Sequence, residues 1–490
     1  MTFLVATALF VASGTAIIRV LRLDVRSPLA DAALAWLVGS GWFATIAPAM
    51  RFGVGLPLSA VGAVLVTLAP VAFWGALGMR RRAAAKTADG AGPLASAPAA
   101  PPYRLPRPLW AYLPMIAYVA IVAAAVLLHG VNTPTHTDDG VRVRAFAPML
   151  AFADEWGAEA RALFVMAGPI PTFVPALGWM LGGAGDPFHP NYAVLAELVA
   201  LLFLAVGLPS ARGSPERGWS SAFALLSIPL FVYHCTSTYS DAVLAMRVGG
   251  GVLLALEYAR SRDRRDAERA FLLLGFAALV KREGELVAAV PAALLAAQLA
   301  AERLRGRAFP WVALACAAAP VALGAVAKVA AVGLAGAFPM FRVLVVESGL
   351  SDAPAAAVHP GLRMQAAAFF FDQALFRSGN AGMIYWVLPV AIVARARALV
   401  RSGLVWSLAA VGALLAEVAA SSILIVPQYT LDQSTVHRAL MVASVPAALW
   451  IAAALTDAAA ERDGVGERDD GGGGSAARRR RHREGRGTRP

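Results

Sequence analysis

Cysteine is almost missing from this chain of 490 residues: Cys235 and Cys316 are the only two, both in or beside apolar stretches. Two such residues support neither a disulfide framework nor a thiolate metal site. Lysine is equally scarce, confined to Lys86, Lys281 and Lys328. Charge as a whole is thin, at 15% of residues, where soluble domains carry roughly 25%. No Gly-rich phosphate loop, dinucleotide fingerprint, Gly-x-Ser-x-Gly elbow or His-Glu-x-x-His motif stands where its context would support it. No basic segment precedes the first apolar run; Arg19, Arg22 and Arg26 follow it, which reads as an uncleaved first span rather than a secretory signal.

Apolar residues, by contrast, make up 59% of the chain, and the mean hydropathy is +0.63. The class is an all-α, polytopic transmembrane helix bundle. Apolar length places spans at about 3–21, 31–50, 55–78, 109–130, 191–209, 219–235, 242–259, 270–281, 285–301, 309–332, 382–395, 403–427 and 438–456. The pair 270–281 and 285–301 is short and reads either as two crossings or as one long helix. Arginine position decides between them. With thirteen spans, Arg19/Arg22/Arg26, Arg80–Arg82, Arg212/Arg217, Arg260–Arg269, Arg303–Arg307 and Arg395–Arg401 all fall on one side. The positive-inside rule makes that side cytoplasmic, with the N-terminus outside and the C-terminus inside, in a plasma membrane. The net charge of +12 then serves topology and anionic lipid, and nucleic acid is not expected as a partner.

Four regions follow: leading spans at 1–79, a Pro/Ala/Gly-rich cytoplasmic linker at 80–108, a core at 109–456, and a charged tail at 457–490 expected to be disordered. The core has two long outside loops, 131–190 and 333–381. In the first, Val141–Met166 has near-helical apolar spacing and reads as an interfacial helix, with Trp156 and Trp179 at headgroup depth. In the second, Phe338, Phe341 and Phe369–Phe371 read as membrane-facing anchors. Gly249–Gly251, inside a span, reads as a close-packing surface.

The residues suited to chemistry sit on the outside face. Asp138 and Asp139 follow a membrane exit, with His136 before them and Arg142 and Arg144 after. A carboxylate in a low-dielectric surround is raised toward neutrality and can take a proton from an acceptor hydroxyl. Its neighbour could orient the acceptor or bind a divalent ion. Thr137–Gly140 is also a good helix-capping turn, so both readings stay open. Lys281, Arg282, Glu283 and Glu285 form a charged tip between apolar segments. They read as a phosphate site of charge-assisted donors or as a self-neutralising hairpin. Asp241, beginning a span, either caps that helix or pairs with a cation of the site; it is also a candidate partner for Arg247 within the span. Arg438 opposes the dipole of the helix it begins, which an anionic ligand or snorkelling to headgroups would explain. His437 precedes it. His129, His136, His189, His234 and His359 lie in outside loops or at span ends and have no metal-ligand spacing.

In their order and shared side, these motifs resemble the polytopic C-class glycosyltransferases, in the manner of the dolichyl-phosphate-mannose mannosyltransferases. The resemblance covers about residues 109–456. His136-Thr-Asp138-Asp139 stands where that family carries its acid after a span. Tyr239-Ser240-Asp241 resembles its Tyr-x-Asp helix start, and Leu279-Val280-Lys281-Arg282-Glu283-Gly284 its charged hairpin. Ser434-Thr435-Val436-His437-Arg438 resembles its closing-helix motif. Val280 replaces a usual Thr, and Arg282 stands where Asn is frequent. The resemblance implies an inverting hexosyl or pentosyl transferase acting outside the cytosol. Its donor is a polyprenyl-phosphate sugar and its acceptor a glycan, lipid or protein of the cell envelope. Asp138 or Asp139 would be the base. Lys281, Arg282 and Arg438, with Arg142 or Arg144, would hold the lipid phosphate, supported by His136, Asp241, Glu283 and His437. No cofactor is fixed; a divalent cation, Mg or Mn, on Asp138 and Asp139 stays open. The rival reading is a transporter or lipid-linked-sugar flippase with charges along a translocation path.

Overall fold

The computed structural model describes residues 2–25, 27–56, 58–87, 112–132, 161, 164–165, 168–182, 191–236, 240–281, 283–304, 311–337, 360–377, 379–399, 403–425, 430–431 and 436–470. Among these there is no strand. The helices are α1 Thr2–Leu21, α2 Pro28–Pro48, α3 Ala60–Thr87, α4 Leu113–Asn132, α5 Pro169–Gly182, α6 Asn191–Ser210, α7 Pro215–Leu226 and α8 Pro229–His234. They continue as α9 Ser240–Ser261, α10 Arg264–Ala277, α11 Gly284–Arg303, α12 Trp311–Ala337, α13 Pro360–Ala368, α14 Ile384–Leu399, α15 Leu404–Ala420 and α16 Val436–Asp470. π-Helical turns follow α2, α13 and α15.

Ten of these helices are long and apolar enough to cross a membrane: α1, α2, α3, α4, α6, α9, α11, α12, α15 and α16. The chain is a multi-pass, all-α membrane protein. The other three expected spans are shorter helices. One is α10, joined to α11 by a turn, so 270–301 is two helices and not one. Another is α14. The third, expected at 219–235, is broken into α7 and α8 at Ile228, whose backbone is extended (φ −93°, ψ 104°). Pro229 explains the break, because a residue before proline is pushed out of the helical region. Two helices outrun their spans. The α3 helix continues to Thr87, into the expected linker, and α16 to Asp470, into the expected disordered tail. The interfacial helix expected at Val141–Met166 falls almost wholly outside the described residues, and Trp156 does too.

The α9 helix is the axis of the bundle: every residue of its apolar window is buried. It packs against α6, α10 and α16. Gly249–Gly251 do form the close-packing surface that their size allows. A Cβ on Gly249 would lie 2.5 Å from Val445 of α16, and one on Gly251 would lie 2.7 Å from Leu274 of α10. With no hydrophobic drive between helices in lipid, such contact area is what holds them together.

The leading helices are built into the core. The α2 helix packs along α6, and α5 is buried against α1, α2, α3 and α6. Two buried arginines fasten the union. Arg269 of α10 donates from Nε to the Leu23 carbonyl (2.6 Å) and from Nη2 to the Asp24 carbonyl (2.5 Å). Arg247 of α9 donates to the Leu37 carbonyl (3.1 Å) and Ser40 Oγ (2.8 Å) of α2.

Candidate functional site

Three sequence-distant elements meet at one end of α9. Asp241 lies in its first turn, where the helix dipole favours an acid. Lys281 sits on the turn between α10 and α11. Arg438 begins α16. Lys281 Nζ donates to Asp241 Oδ1 at 2.6 Å, and Arg438 Nη1 stands 3.9 Å from Asp241 Oδ2. The Asp241 side chain is 7% exposed, those of Lys281 and Arg438 20% and 28%. One carboxylate thus holds two cations at the edge of the buried core, both still reached by solvent. Of the two readings of Asp241, the cation partner is the one observed. Glu283 lies 3.7 Å from Lys281 and is more than half exposed, so water screens it. His234, at the end of α8, is buried and within electrostatic reach of both Asp241 and Arg438.

The charged hairpin is held from two further sides. Glu285, one turn beyond Lys281, accepts from Lys328 of α12 at 2.5 Å, and Lys328 is itself buried. The backbone N–H of Ile170 donates to the Leu279 carbonyl at 3.3 Å. Gly168 permits this approach: its φ is +80°, and a Cβ there would fall 2.2 Å from the Val280 carbonyl oxygen. Within the expected outside loop 131–190, Gly168 and the start of α5 are therefore seated directly on the hairpin that carries Lys281. A Gly168→Val protein combines a forbidden backbone conformation with this overlap. Its expected behaviour is a lost loop–hairpin contact in a bundle that still forms, read as protease cleavage in 161–190 while α9 stays protected.

Asp138, Asp139, His136, Arg142 and Arg144, the acids and cations of that loop, lie outside the described residues, as do Arg282, Tyr239, Ser434 and Thr435. Among the described residues no group of three His, Cys, Asp or Glu side chains is placed to hold a metal ion. No protein-family model, curated protein or solved structure matches this chain. The geometry of its charged groups therefore carries the functional reading.

Arg247 corrects one expectation. Its partner is Glu197 of α6 (Nε to Oε1, 2.9 Å), not Asp241, and the two side chains are 0% and 1% exposed. Asp241 sits nearly two turns away and is taken by Lys281. Phe370 corrects another: it is fully buried in a cluster with Leu375, Tyr385, Val436 and Leu440, while its neighbour Phe371 is exposed. The expected anchors Phe338 and Phe341 are outside the described residues. Trp179 belongs to buried α5, with an indole nitrogen that is enclosed and has no hydrogen-bond partner.

A second charged cluster occupies the other end of α9. Glu257 accepts from Arg212 (3.0 Å) and Arg217 (3.1 Å), and Asp457 of α16 from Arg260 (2.6 Å). Asp266 pairs with Arg212 and Arg269, and Glu302 with Arg262. Burial works against the Arg212 charge, but Asp266 and Glu257 together outweigh it and raise its pKa. These arginines read from sequence only as topology signals. Apart from the i,i+3 pairs Asp266–Arg269 and Glu257–Arg260, their acidic partners sit on other elements, where no local spacing exposes them. From Asp241 to Glu257 the two clusters are about 24 Å apart, at roughly 1.5 Å per helical residue.

Proposed function

We propose that this chain is an integral-membrane glycosyltransferase. It moves a hexosyl or pentosyl group from a polyprenyl-phosphate carrier to a glycan, lipid or protein acceptor on the extracytoplasmic face. The observation that supports this reading is the meeting of Lys281 and Arg438 on the Asp241 carboxylate, from two helices and the turn between α10 and α11, at the end of the bundle away from the arginine-rich cluster. By the positive-inside rule that end faces outward. Two cations drawn together on one carboxylate are the kind of charge-assisted donors a lipid phosphate takes. An acid at that position also fixes them in place before the anion arrives.

The chemistry follows from that arrangement. The acceptor hydroxyl attacks the anomeric carbon with inversion, while Asp138 or Asp139 takes its proton. The carbon–oxygen bond to the lipid phosphate breaks, and negative charge develops on the departing phosphate. Lys281 and Arg438, with Arg282, Arg142 and Arg144, stabilise that charge where it forms. Lys281 and Arg438 lie on other elements than the base, which keeps them from neutralising it.

The flippase reading draws on the charges within the spans. Among them, Arg247 and Glu197 bond to each other, with Arg247 also bonded to α2, and buried Lys328 pairs with Glu285, which favours a structural role for these charges. The deciding assay uses membranes and a labelled lipid-linked sugar. Asp138→Asn or Asp139→Asn should lower transfer by about 10²–10⁴-fold, the usual contribution of a general base. Full transfer in both single variants and in the double variant rejects the base assignment. Movement of the labelled lipid across the bilayer without transfer identifies a flippase.

A further inference from the structure

We propose that the Arg260–Asp457 ion pair, at the far end of the bundle, positions Arg438 for the lipid phosphate by holding α16 in register with α9. This inference rests on the transferase reading above. Three contacts along the two helices share one offset. Arg438 stands 3.9 Å from Asp241, a Cβ on Gly249 would lie 2.5 Å from Val445, and Arg260 is 2.6 Å from Asp457. The first and last pairs are each 197 residues apart in sequence, and the middle pair is within one residue of that. The helices therefore run parallel and in step from Asp241 to Arg260, about 28 Å at roughly 1.5 Å per residue.

The tie at the Arg260 end is the stronger one. Arg260 donates to Asp457 Oδ2 from Nε (2.9 Å) and Nη2 (2.6 Å), and from Nη2 to the Ala453 carbonyl (3.0 Å), one turn earlier on α16. Arg217 of α7 reaches the other carboxylate oxygen of Asp457 at 3.5 Å. Contacts to two successive turns set the height of α16 against α9. The Arg260 and Asp457 side chains are only 15% and 21% exposed, which limits screening by water.

The other two contacts hold the register less firmly. At Gly249, α9 has no side chain to interlock with Val445. At the opposite end, 3.9 Å is beyond hydrogen-bond range, so Arg438 is drawn to Asp241 without being fixed by it. Lipid supplies no hydrophobic drive against an axial shift of one apolar helix along another, and packed helices do shift by about 1–2 Å. A helix passes such a shift along its length, so a displacement at Asp457 reappears at Arg438. A misplacement of about 1 Å is enough to impair a group that must meet a developing charge. Arg260 and Asp457 are thus positioning residues, far from the anion they serve.

The test is a double-substitution cycle on the full-length protein in nanodiscs, read as affinity for polyprenyl monophosphate. Asp457→Asn keeps the side-chain shape and loses the charge; it should weaken binding by about five- to tenfold, the low end of couplings between distant sites. Arg260→Lys keeps a cation beside Glu257 but gives up the grip on two turns, and should act in the same direction. In an Arg438→Gln background, where Lys281 still holds the phosphate, Asp457→Asn should change affinity by less than about twofold, because the cation it positions is gone. Independent sites this far apart would add instead. A native thermal unfolding transition in each variant separates a binding loss from misfolding. The proposal is overturned if Asp457→Asn costs the same factor in both backgrounds, or if neither Asp457→Asn nor Arg260→Lys weakens binding; the phosphate site survives either result. A wild type that binds no polyprenyl monophosphate removes the phosphate site and the transferase reading, and this inference with them.

Discussion

Replacing Arg247 with Met is expected to remove most of the folded protein, and replacing Glu197 with Gln in the same chain is expected to restore much of it. Both side chains are fully enclosed within the spans, at 0% and 1% exposure. Glu197 accepts from two arginine nitrogens, through Oε1, and its second oxygen has no partner. Without Arg247, the carboxylate is left buried and uncompensated. Breaking such a pair costs roughly 3–5 kcal/mol, whereas removing both charges together is often neutral or better. The loss also removes two hydrogen bonds to α2, at the Leu37 carbonyl and Ser40 Oγ, so the damage should reach the leading helices. Thermal unfolding of the detergent-solubilised protein measures it. A single variant as stable as the wild type, or a double variant no better than the single, would show that the pair contributes nothing of this kind.

Lys281→Gln and Arg438→Gln should each lower sugar transfer by about 10²–10³-fold, the usual effect of removing one donor to a developing anion. Arg438→Gln should change stability little, while Lys281→Gln should cost somewhat more, because Asp241, 7% exposed, loses its hydrogen-bonded cation and keeps Arg438 at 3.9 Å. Asp241→Asn should also cost activity, by letting both cations drift, but it differs in binding. With the competing carboxylate gone, inorganic phosphate or bare lipid phosphate should bind more tightly than to the wild type. Transfer rates and phosphate affinities on the three purified variants check this. Full activity in both Lys281→Gln and Arg438→Gln would remove the phosphate-site assignment. A large stability loss in either would make the cluster an architectural joint.

The spans were legible in the sequence because apolar length is a local property. The hairpin at Lys281 was legible because arginine sidedness forced two crossings. Three motifs expected on one face also meet: Asp241, Lys281 and Arg438. What stayed hidden depends on tertiary neighbours. Arg247 announced a need for a partner, but Glu197 lies fifty residues earlier in an unremarkable apolar helix. The acids Glu257, Asp266, Asp457 and Glu302 looked like ordinary loop or span-end charges, since pairing across helices leaves no periodic trace. Phe370 looked like a lipid anchor because one aromatic triplet cannot say which ring turns inward on a π-helical turn. Helix α5 was missed because its fourteen residues, with Pro169, Pro171 and Pro175, fall short of a span. The buried ring of His437, whose nitrogens have no hydrogen-bond partner among the described residues, and the common register of α9 and α16 became visible only once their surroundings were built.

The axial helix α9 is clamped by ions at both of its ends. A rod fastened in this way can neither slide nor lean by itself when the surrounding bilayer thickens or thins. Mismatch must be absorbed by lipid deformation or by the less enclosed peripheral helices, α3 and α4 among them. The distance from the Asp241 cluster to the opposite rim is accordingly set by the protein rather than by the thickness of the bilayer around it.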